Sequence, residues 1–444
     1  MTTRFLDAPV GARPSEGYAP PGEAGSRVLA VTAFLLIGFR QTDLLPLVPL
    51  GLSPARFLLF AGAGLWVLTR LTGQRSPYRL AILGPVLTIY ALSVMVAYGA
   101  QMTRPTPAPN IDPIFVVQLL LVLVVLFVFT VIHSAAGLLR VIKGLVAGAC
   151  LSATLALLAI VTGSATGPVL RIPGTVDGAG IPFTVDDVFR GGMIRAQGSA
   201  SHPLELACVL IVIFPLALAM TLSLRAQGKR WWPWAVASAV IVAGSAATLS
   251  RSGTVGLVVS MAVMACYWPI RRTVTIFASC AAVIGAALLL QVPFVTKYAT
   301  IFSADSSVAQ RAAVTSALPF DITPFGMYAR ATGASSSGAG VPTLDDQYLK
   351  ALSETGVFGF LAYVLLIGTT VVLAFRAFRN ARAGRCDRQR AQLFIGIAAS
   401  ISAYAVVSLF LDMAGFLQIW TLMWVLISLT AVAYRLSRTP GRDT

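Results

Sequence analysis

The chain has 444 residues, of which 57% are hydrophobic and 11% charged, and a mean hydropathy of +0.81. Soluble domains carry about 25% charged residues, so this composition excludes a soluble globular protein and predicts an all-α polytopic membrane protein. The net charge of +16 would suggest nucleic acid in a soluble protein. Here the positive-inside bias of membrane proteins accounts for it, and nucleic acid is set aside as a partner.

Residues 1–26 are polar, rich in Pro and Gly and of mixed charge, without the compact basic region and cleavage site of a signal peptide. They are expected to form a disordered cytoplasmic tail. A membrane helix needs about 20 apolar residues. Runs that qualify lie near 28–46, 53–71, 79–99, 113–133, 137–162, 200–224, 232–250, 253–270, 273–291, 355–375, 391–412 and 414–434. Arg40 and Asp43 interrupt the first, and only a short break around Arg251 separates the seventh from the eighth. Twelve transmembrane helices in one domain, 27–436, are therefore expected, with 437–444 as a second cytoplasmic tail.

Placing the N-terminus inside puts 22 of the 33 Lys and Arg residues in cytoplasmic segments and 12 of the 17 acids outside. That asymmetry predicts an N-in, C-in topology. Trp231, Trp232 and Trp234 then fall at a cytoplasmic boundary, as an aromatic belt or as core. Two long loops face the extracytoplasmic side, about 163–199 and 291–354, and short interfacial helices are expected in both. Long polar loops of this kind are uncommon unless functional or disordered. The five cysteines show no C-x-x-C spacing and neither histidine, His133 or His202, has ligand spacing with an acid or thiol. No metal site, disulfide framework or cofactor is expected. Phosphate-cradling glycine motifs and the G-x-S-x-G elbow are also missing.

The outer face instead concentrates arginines: Arg190 and Arg195 ahead of the run at Ser199, Arg251 inside Thr248-Leu249-Ser250-Arg251-Ser252-Gly253, and Arg311 in the second long loop. An arginine at membrane depth costs on the order of 3 kcal/mol on insertion scales. It is also the best fork for phosphate oxygens. Snorkelling to lipid phosphates is the ordinary explanation for an exposed arginine; Arg251, flanked tightly by apolar chain, argues for an anionic ligand. The second loop ends in Asp345-Asp346-Gln347-Tyr348, and a helix over 346–356 would put Gln347, Lys350, Ala351 and Glu354 on one face. Asp345 then reads as an N-cap or first-turn acid, as a general base toward a hydroxyl, or as both.

Three segments in this order resemble one family. Arg195-Ala196-Gln197-Gly198-Ser199-Ala200-Ser201-His202-Pro203 is similar to its arginine, glycine and proline-led helix start. Thr248-Leu249-Ser250-Arg251-Ser252-Gly253 resembles its T-x-SR turn. Asp345-Asp346-Gln347-Tyr348-Leu349 followed by Gly356 and Gly359 resembles its H-[NS]-x-x-L…G-x-x-G element, with Arg311 and Pro324-Phe325-Gly326 between. The family is the O-antigen ligase and polymerase superfamily.

The resemblance implies a metal-independent, inverting integral-membrane glycosyltransferase of the GT-C type. Such an enzyme moves a glycan from undecaprenyl diphosphate to an acceptor sugar hydroxyl on the outer face of the plasma membrane. Arg195 and Arg251 would stabilise the leaving diphosphate and Asp345 would serve as base. Arg190, Arg311, Asp346, Tyr348 and His202 would bind the diphosphate or the acceptor. The partners implied are the lipid-linked donor, a glycan or glycolipid acceptor, the bilayer and, as a further candidate, a chain-length regulator. Asp345 stands where the ligases have His, which shifts weight toward a polymerase or a ligase with another acceptor. Two alternatives are kept: a transporter or flippase of an amphipathic anion, which calls for midplane charges and broken helices in paired halves, neither of which the sequence shows, since its charges gather at the outer boundary; and a peptidoglycan polymerase or protein O-glycosyltransferase using the same donor.

Overall fold

The computed structural model describes residues 23–44, 51–73, 80–103, 111–163, 170, 172–175, 189–190, 192–291, 295–296, 298, 323–326, 346–385 and 388–438. Among them are twelve α-helices of 15 residues or more: α1 Ala24–Gly38, α2 Pro54–Leu71, α3 Leu83–Met102, α4 Ile111–Val131, α5 Ala135–Thr162, α6 Pro203–Ala226, α7 Trp232–Ala246, α8 Arg251–Ala265, α9 Ile270–Leu289, α10 Gln347–Asn380, α11 Arg388–Val407 and α12 Leu417–Leu436. A single two-stranded hairpin joins them, β1 Phe189–Arg190 antiparallel to β2 Met193–Ile194. Seven helices, α3 to α6 and α10 to α12, are long and apolar enough to cross a membrane. This is an all-α, membrane-embedded protein.

Each helix falls on one of the apolar runs, and the ends follow from local chemistry. Ser53 and Ser134 cap α2 and α5, accepting from the backbone N–H of Arg56 and Gly137. Gly163 closes α5 in the left-handed conformation, φ +69°. Several boundaries differ from the hydropathy runs. Helix α1 stops at Gly38, before Arg40 and Asp43, and the Arg40 N–H turns to the Leu170 carbonyl at 3.1 Å. Helix α10 begins at Gln347, eight residues before the apolar run, and is broken at Gly356 (φ +69°, ψ −170°). Residues 408–416 are not part of a regular helix, although Leu409-Phe410-Leu411 reads as apolar continuation.

Helices α6 and α12 form the centre. Leu206 to Ile213 are each at most 1% exposed, the pattern of a helix that is apolar all round and enclosed by others. Around them α1 packs on α5, α6 on α7, α8 and α11, α10 on α3, α11 and α12, and α4 on α2 and α12. The closest approach is α1 against α5. A Cβ at Gly144 would stand 2.2 Å from the Ala30 carbonyl oxygen and one at Gly148 2.8 Å from that of Phe34. The four-residue spacing of these glycines is the small-residue device by which helices meet in lipid.

Candidate functional site

The two arginine segments come together. After the hairpin, the chain runs irregularly from Arg195 to the start of α6, and it does so buried: Arg195 is 6% exposed, Gln197 2% and Ser199 0%. Ala196 donates its N–H to the Ala247 carbonyl at 3.1 Å, and the Arg195 guanidinium donates from Nε to the Thr248 carbonyl at 3.1 Å. Residues 195–196 are thus laid along the turn that carries Arg251. Deeper in, Ser199 Oγ donates to the Ile37 carbonyl at 2.6 Å and lies 2.6 Å from Ser152 Oγ, which accepts the Ser199 N–H at 3.1 Å. Ser152 is ten residues from the end of α5, so this segment dips about 15 Å below that end at 1.5 Å per residue.

The second segment is the break between α7 and α8. These helices are 15 residues each, about 22 Å, which is short of a hydrocarbon core of about 30 Å. The turn between them is buried, with Thr248 at 0%, Leu249 at 1% and Ser250 at 2% exposure. Leu249 adopts φ +53°, a conformation costly for a non-glycine residue. Ser250 caps α8, accepting the Gly253 N–H at 3.3 Å, and Arg251 is the first helical residue. Tyr298 Oη lies over this helix start, 2.7 Å from Thr254 Oγ1 and 3.4 Å from the Ser250 carbonyl. Irregular backbone at such depth is tolerated only where protein surrounds it or a cavity is lined.

His202 caps α6: its Nδ1 accepts the Leu204 N–H at 3.0 Å, and its ring lies 5.6 Å from that of Phe416. Phe416 ends the irregular 408–416 segment, whose other side receives the start of α10. There Asp346 is the N-cap, with Oδ1 accepting from Tyr348 N at 2.8 Å and Leu349 N at 3.1 Å. Gln347 donates its N–H to the Ser408 carbonyl at 2.9 Å and accepts the Ala414 N–H at 2.7 Å. Tyr348 Oη donates to the Ala405 carbonyl at 3.0 Å. The expected shared face is present, with Gln347, Lys350 and Ala351 buried and Glu354 behind them. The cap expected at Asp345 is Asp346. Burial pushes the Asp346 carboxyl up from the usual range, against the two backbone N–H groups that draw it down.

Asp345 and Arg311 lie outside the described residues, as does the side chain of Arg190, whose backbone is in β1. Pro324-Phe325-Gly326 is described and docks on the break in α10. Val357 and Phe358 donate their N–H groups to the carbonyls of Thr323 and Pro324, both at 3.3 Å, and Phe325 stacks on Phe358.

Three charged residues that sequence reading passed over join these parts. Glu205, 1% exposed, accepts from Ser201 N (2.9 Å) and Ser201 Oγ (2.5 Å) with one oxygen and from Gln418 N (2.8 Å) with the other. It thereby ties the Arg195 segment to the start of α12. Arg56, 3% exposed, donates from Nε to Thr421 Oγ1 at 2.8 Å on the same helix. Asp412, in the irregular segment, pairs with Lys350 at 2.6 Å, and Lys350 also lies 3.8 Å from Glu354. The signal available for each was a lone charge in or beside an apolar run, where charge is expensive. No group of three or more His, Cys, Asp or Glu suited to a metal ion occurs among the described residues.

One buried group in this region has no hydrogen-bond partner at all. Both amide atoms of Gln197, two residues from Arg195, are enclosed and unbonded. No family model and no curated protein matches the chain.

Proposed function

We propose that this protein is a lipid-linked glycan transferase of the O-antigen ligase and polymerase type, with twelve spans, both termini in the cytoplasm and its reaction on the outer face of the plasma membrane. The observation that supports this reading best is the apposition of the Arg195 segment and the Arg251 turn, two segments far apart in sequence, joined through Arg195 Nε and the Thr248 carbonyl. A diphosphate leaving group gathers charge as its bond to the sugar breaks. Fixed cationic donors in a water-poor site stabilise that charge without reorganising. The acceptor hydroxyl attacks the anomeric carbon from the opposite side, the carboxylate of Asp345 takes its proton, and undecaprenyl diphosphate departs. Asp346, committed to capping α10 through Oδ1, orients that stretch of chain.

The test is reconstitution of the full chain with an undecaprenyl-diphosphate-linked oligosaccharide and an acceptor glycan. Arg195→Ala, Arg251→Ala and Asp345→Ala are each expected to abolish product while expression in the membrane persists. Wild-type-like product from the Arg251 and Asp345 variants would sink the reading. Deleting the gene separates the two activities: surface glycan shortened to one repeat marks a polymerase, and lipid-linked polymer accumulating unattached marks a ligase.

A second reading draws on the same buried breaks. Irregular segments at 195–202, 247–250 and 408–416, which carry Arg195 and Asp412 and are met by Glu205 of α6 and Lys350 of α10, are features that transporters also use. Movement of labelled lipid-linked glycan across proteoliposomes without a new glycosidic bond would favour transport.

A further inference from the structure

At the opposite end of α6 the chain changes character. Between Glu205 and Asp305 there is no acidic residue, while Arg225, Lys229, Arg230, Arg271 and Arg272 cluster at the α6–α7 turn and the start of α9. Arg225, Lys229, Arg230 and Arg271 are exposed. Arg225 lies 5.2 Å over the Trp231 ring and Arg230 4.8 Å over that of Trp232. Between α6 and α9 the chain leaves a cavity of about 440 Å³ lined by Leu222, Arg225, Ala226, Thr275 and Ile276. That is within the size range of small-molecule sites. Its walls are mostly apolar, and among the described residues its one charged lining group is a guanidinium.

Two of those walls, Leu222 and Ile276, pack against a small buried cluster of Ala219, Met264, Trp268 and Ala399. The Trp268 indole is 8% exposed and its Nε1–H has no hydrogen-bond partner. That donor is enclosed beneath the cavity and is not one of its walls. Beyond it the outward face of α9 is bare, with Ile270 73%, Val274 58% and Phe277 46% exposed.

We infer that the cavity between α6 and α9 is a binding site for an anionic glycerophospholipid of the surrounding bilayer. The headgroup phosphate sits on Arg225, and an acyl chain follows Leu222, Ala226 and Ile276 onto the bare face of α9. Basic pockets between helices at a membrane surface hold anionic headgroups by this combination of fork, field and apolar wall. A zwitterionic lipid carries an ammonium that the exposed Arg225, Lys229, Arg230 and Arg271 repel, which is the basis of selectivity.

The experiment uses the full chain in nanodiscs of phosphatidylcholine with increasing phosphatidylglycerol, with bound lipid read by native mass spectrometry after release. The wild type is expected to retain phosphatidylglycerol in preference to phosphatidylcholine. Arg225→Gln is expected to cut that preference by about fivefold, the size of one cation near a membrane surface. Arg230→Gln, a charge-matched change outside the cavity, should leave it within about twofold of wild type. Equal losses from Arg225→Gln and Arg230→Gln would reduce the site to general surface charge and overturn the inference. So would the absence of any preference in the wild type, or full displacement of the lipid by inorganic phosphate. If Arg225→Gln does not fold, Arg225→Lys carries the same comparison, keeping the charge and losing the fork.

Discussion

The guanidinium of Arg195 reaches 53 residues along the chain to the main-chain carbonyl of Thr248, 3.1 Å from Nε. Because the acceptor is backbone, the side chain at 248 is dispensable for the bond; Thr248 Oγ1 is already donating to the Ser245 carbonyl at 2.7 Å. Arg195→Gln should therefore destabilise the fold by about 1.5–3 kcal/mol, the range for a buried hydrogen bond to a charged group. Thr248→Ala should cost about 1 kcal/mol or less. Thermal unfolding in detergent of the two variants side by side checks the order, and the reverse order would show that the bond does not hold the segments together.

Gly198 makes a left-handed turn in the same segment. It sits at φ +56°, and a Cβ there would stand 2.5 Å from the Ser152 carbonyl oxygen and 2.9 Å from Ser152 Oγ. Gly198→Ala meets both a left-handed backbone, worth about 1–2 kcal/mol, and a clash with main chain that cannot rotate away. The variant is expected to lose folded yield in the membrane. Ser152→Gly, which removes the hydroxyl but leaves the carbonyl, should not rescue it, and rescue would locate the clash in the side chain instead.

How much of this was legible in the sequence varies with the range of the interaction. Twelve apolar runs located twelve helices because helix burial is a property of about 20 consecutive residues. The cap at Ser250 is readable from residue type, and the start of α6 from Pro203 at its first position. What failed was pairing. Lys350 was placed on the correct face of its helix, but its partner Asp412 is 62 residues away, and Leu409-Phe410-Leu411 disguised the end of α11 as continuing helix. Glu205 and Arg56 were likewise visible as lone charges, whereas their roles depend on α12, more than 200 residues downstream of either. Hydropathy puts 163–199 in an outer loop and 200–224 and 232–250 in apolar runs, whereas 195–202 and 247–250 are irregular and largely buried. Hydropathy reports apolarity along the chain, not whether a loop folds back into the bundle.

Lys350 and Asp412 offer a direct test of that long-range pairing. The lysine side chain is 5% exposed and the aspartate 22%. Removing one partner of a buried pair leaves the other charge uncompensated, at about 3–5 kcal/mol. Here Glu354, 3.8 Å from the ammonium, takes up part of the loss when Asp412 goes but cannot when Lys350 goes. Lys350→Met is thus expected to be more damaging than Asp412→Asn. The double variant should be more stable than Lys350→Met alone. Additive losses on thermal unfolding would show that the two charges do not interact.

The contact between Gly326 and Gly356 predicts strong coupling of a different kind. Both have left-handed φ, +71° and +69°, and a Cβ on either would come within 2.4 Å of the other segment's backbone. Gly326→Ala or Gly356→Ala alone should undock Pro324-Phe325-Gly326 from α10, freeing the stacked Phe325–Phe358 pair. The double variant should cost little more than either single, since one undocking relieves both clashes. Protease susceptibility around 323–326 reads the undocking, and strict additivity in stability would mean the two glycines act separately.

Asp346 separates capping from chemistry. Its carboxyl is pushed up by burial even while two backbone N–H groups favour the ionised form. For an acid whose folded value lies above its unfolded one, ionisation is harder in the fold. Its contribution therefore turns unfavourable as pH rises from the unfolded value, 3.8, through the folded value, and this loss is recovered on acidification. Asparagine caps as well as aspartate and does not titrate. Asp346→Asn should accordingly match or exceed wild-type stability at neutral pH and flatten that part of the pH profile, whereas Asp346→Ala loses the cap and about 1 kcal/mol. With glycan transfer measured on the same proteins, Asp346→Asn should keep most activity and Asp345→Asn should lose it, because only the latter removes the base. Full activity in Asp345→Asn with none in Asp346→Asn would transfer the proton-accepting role to the capping residue.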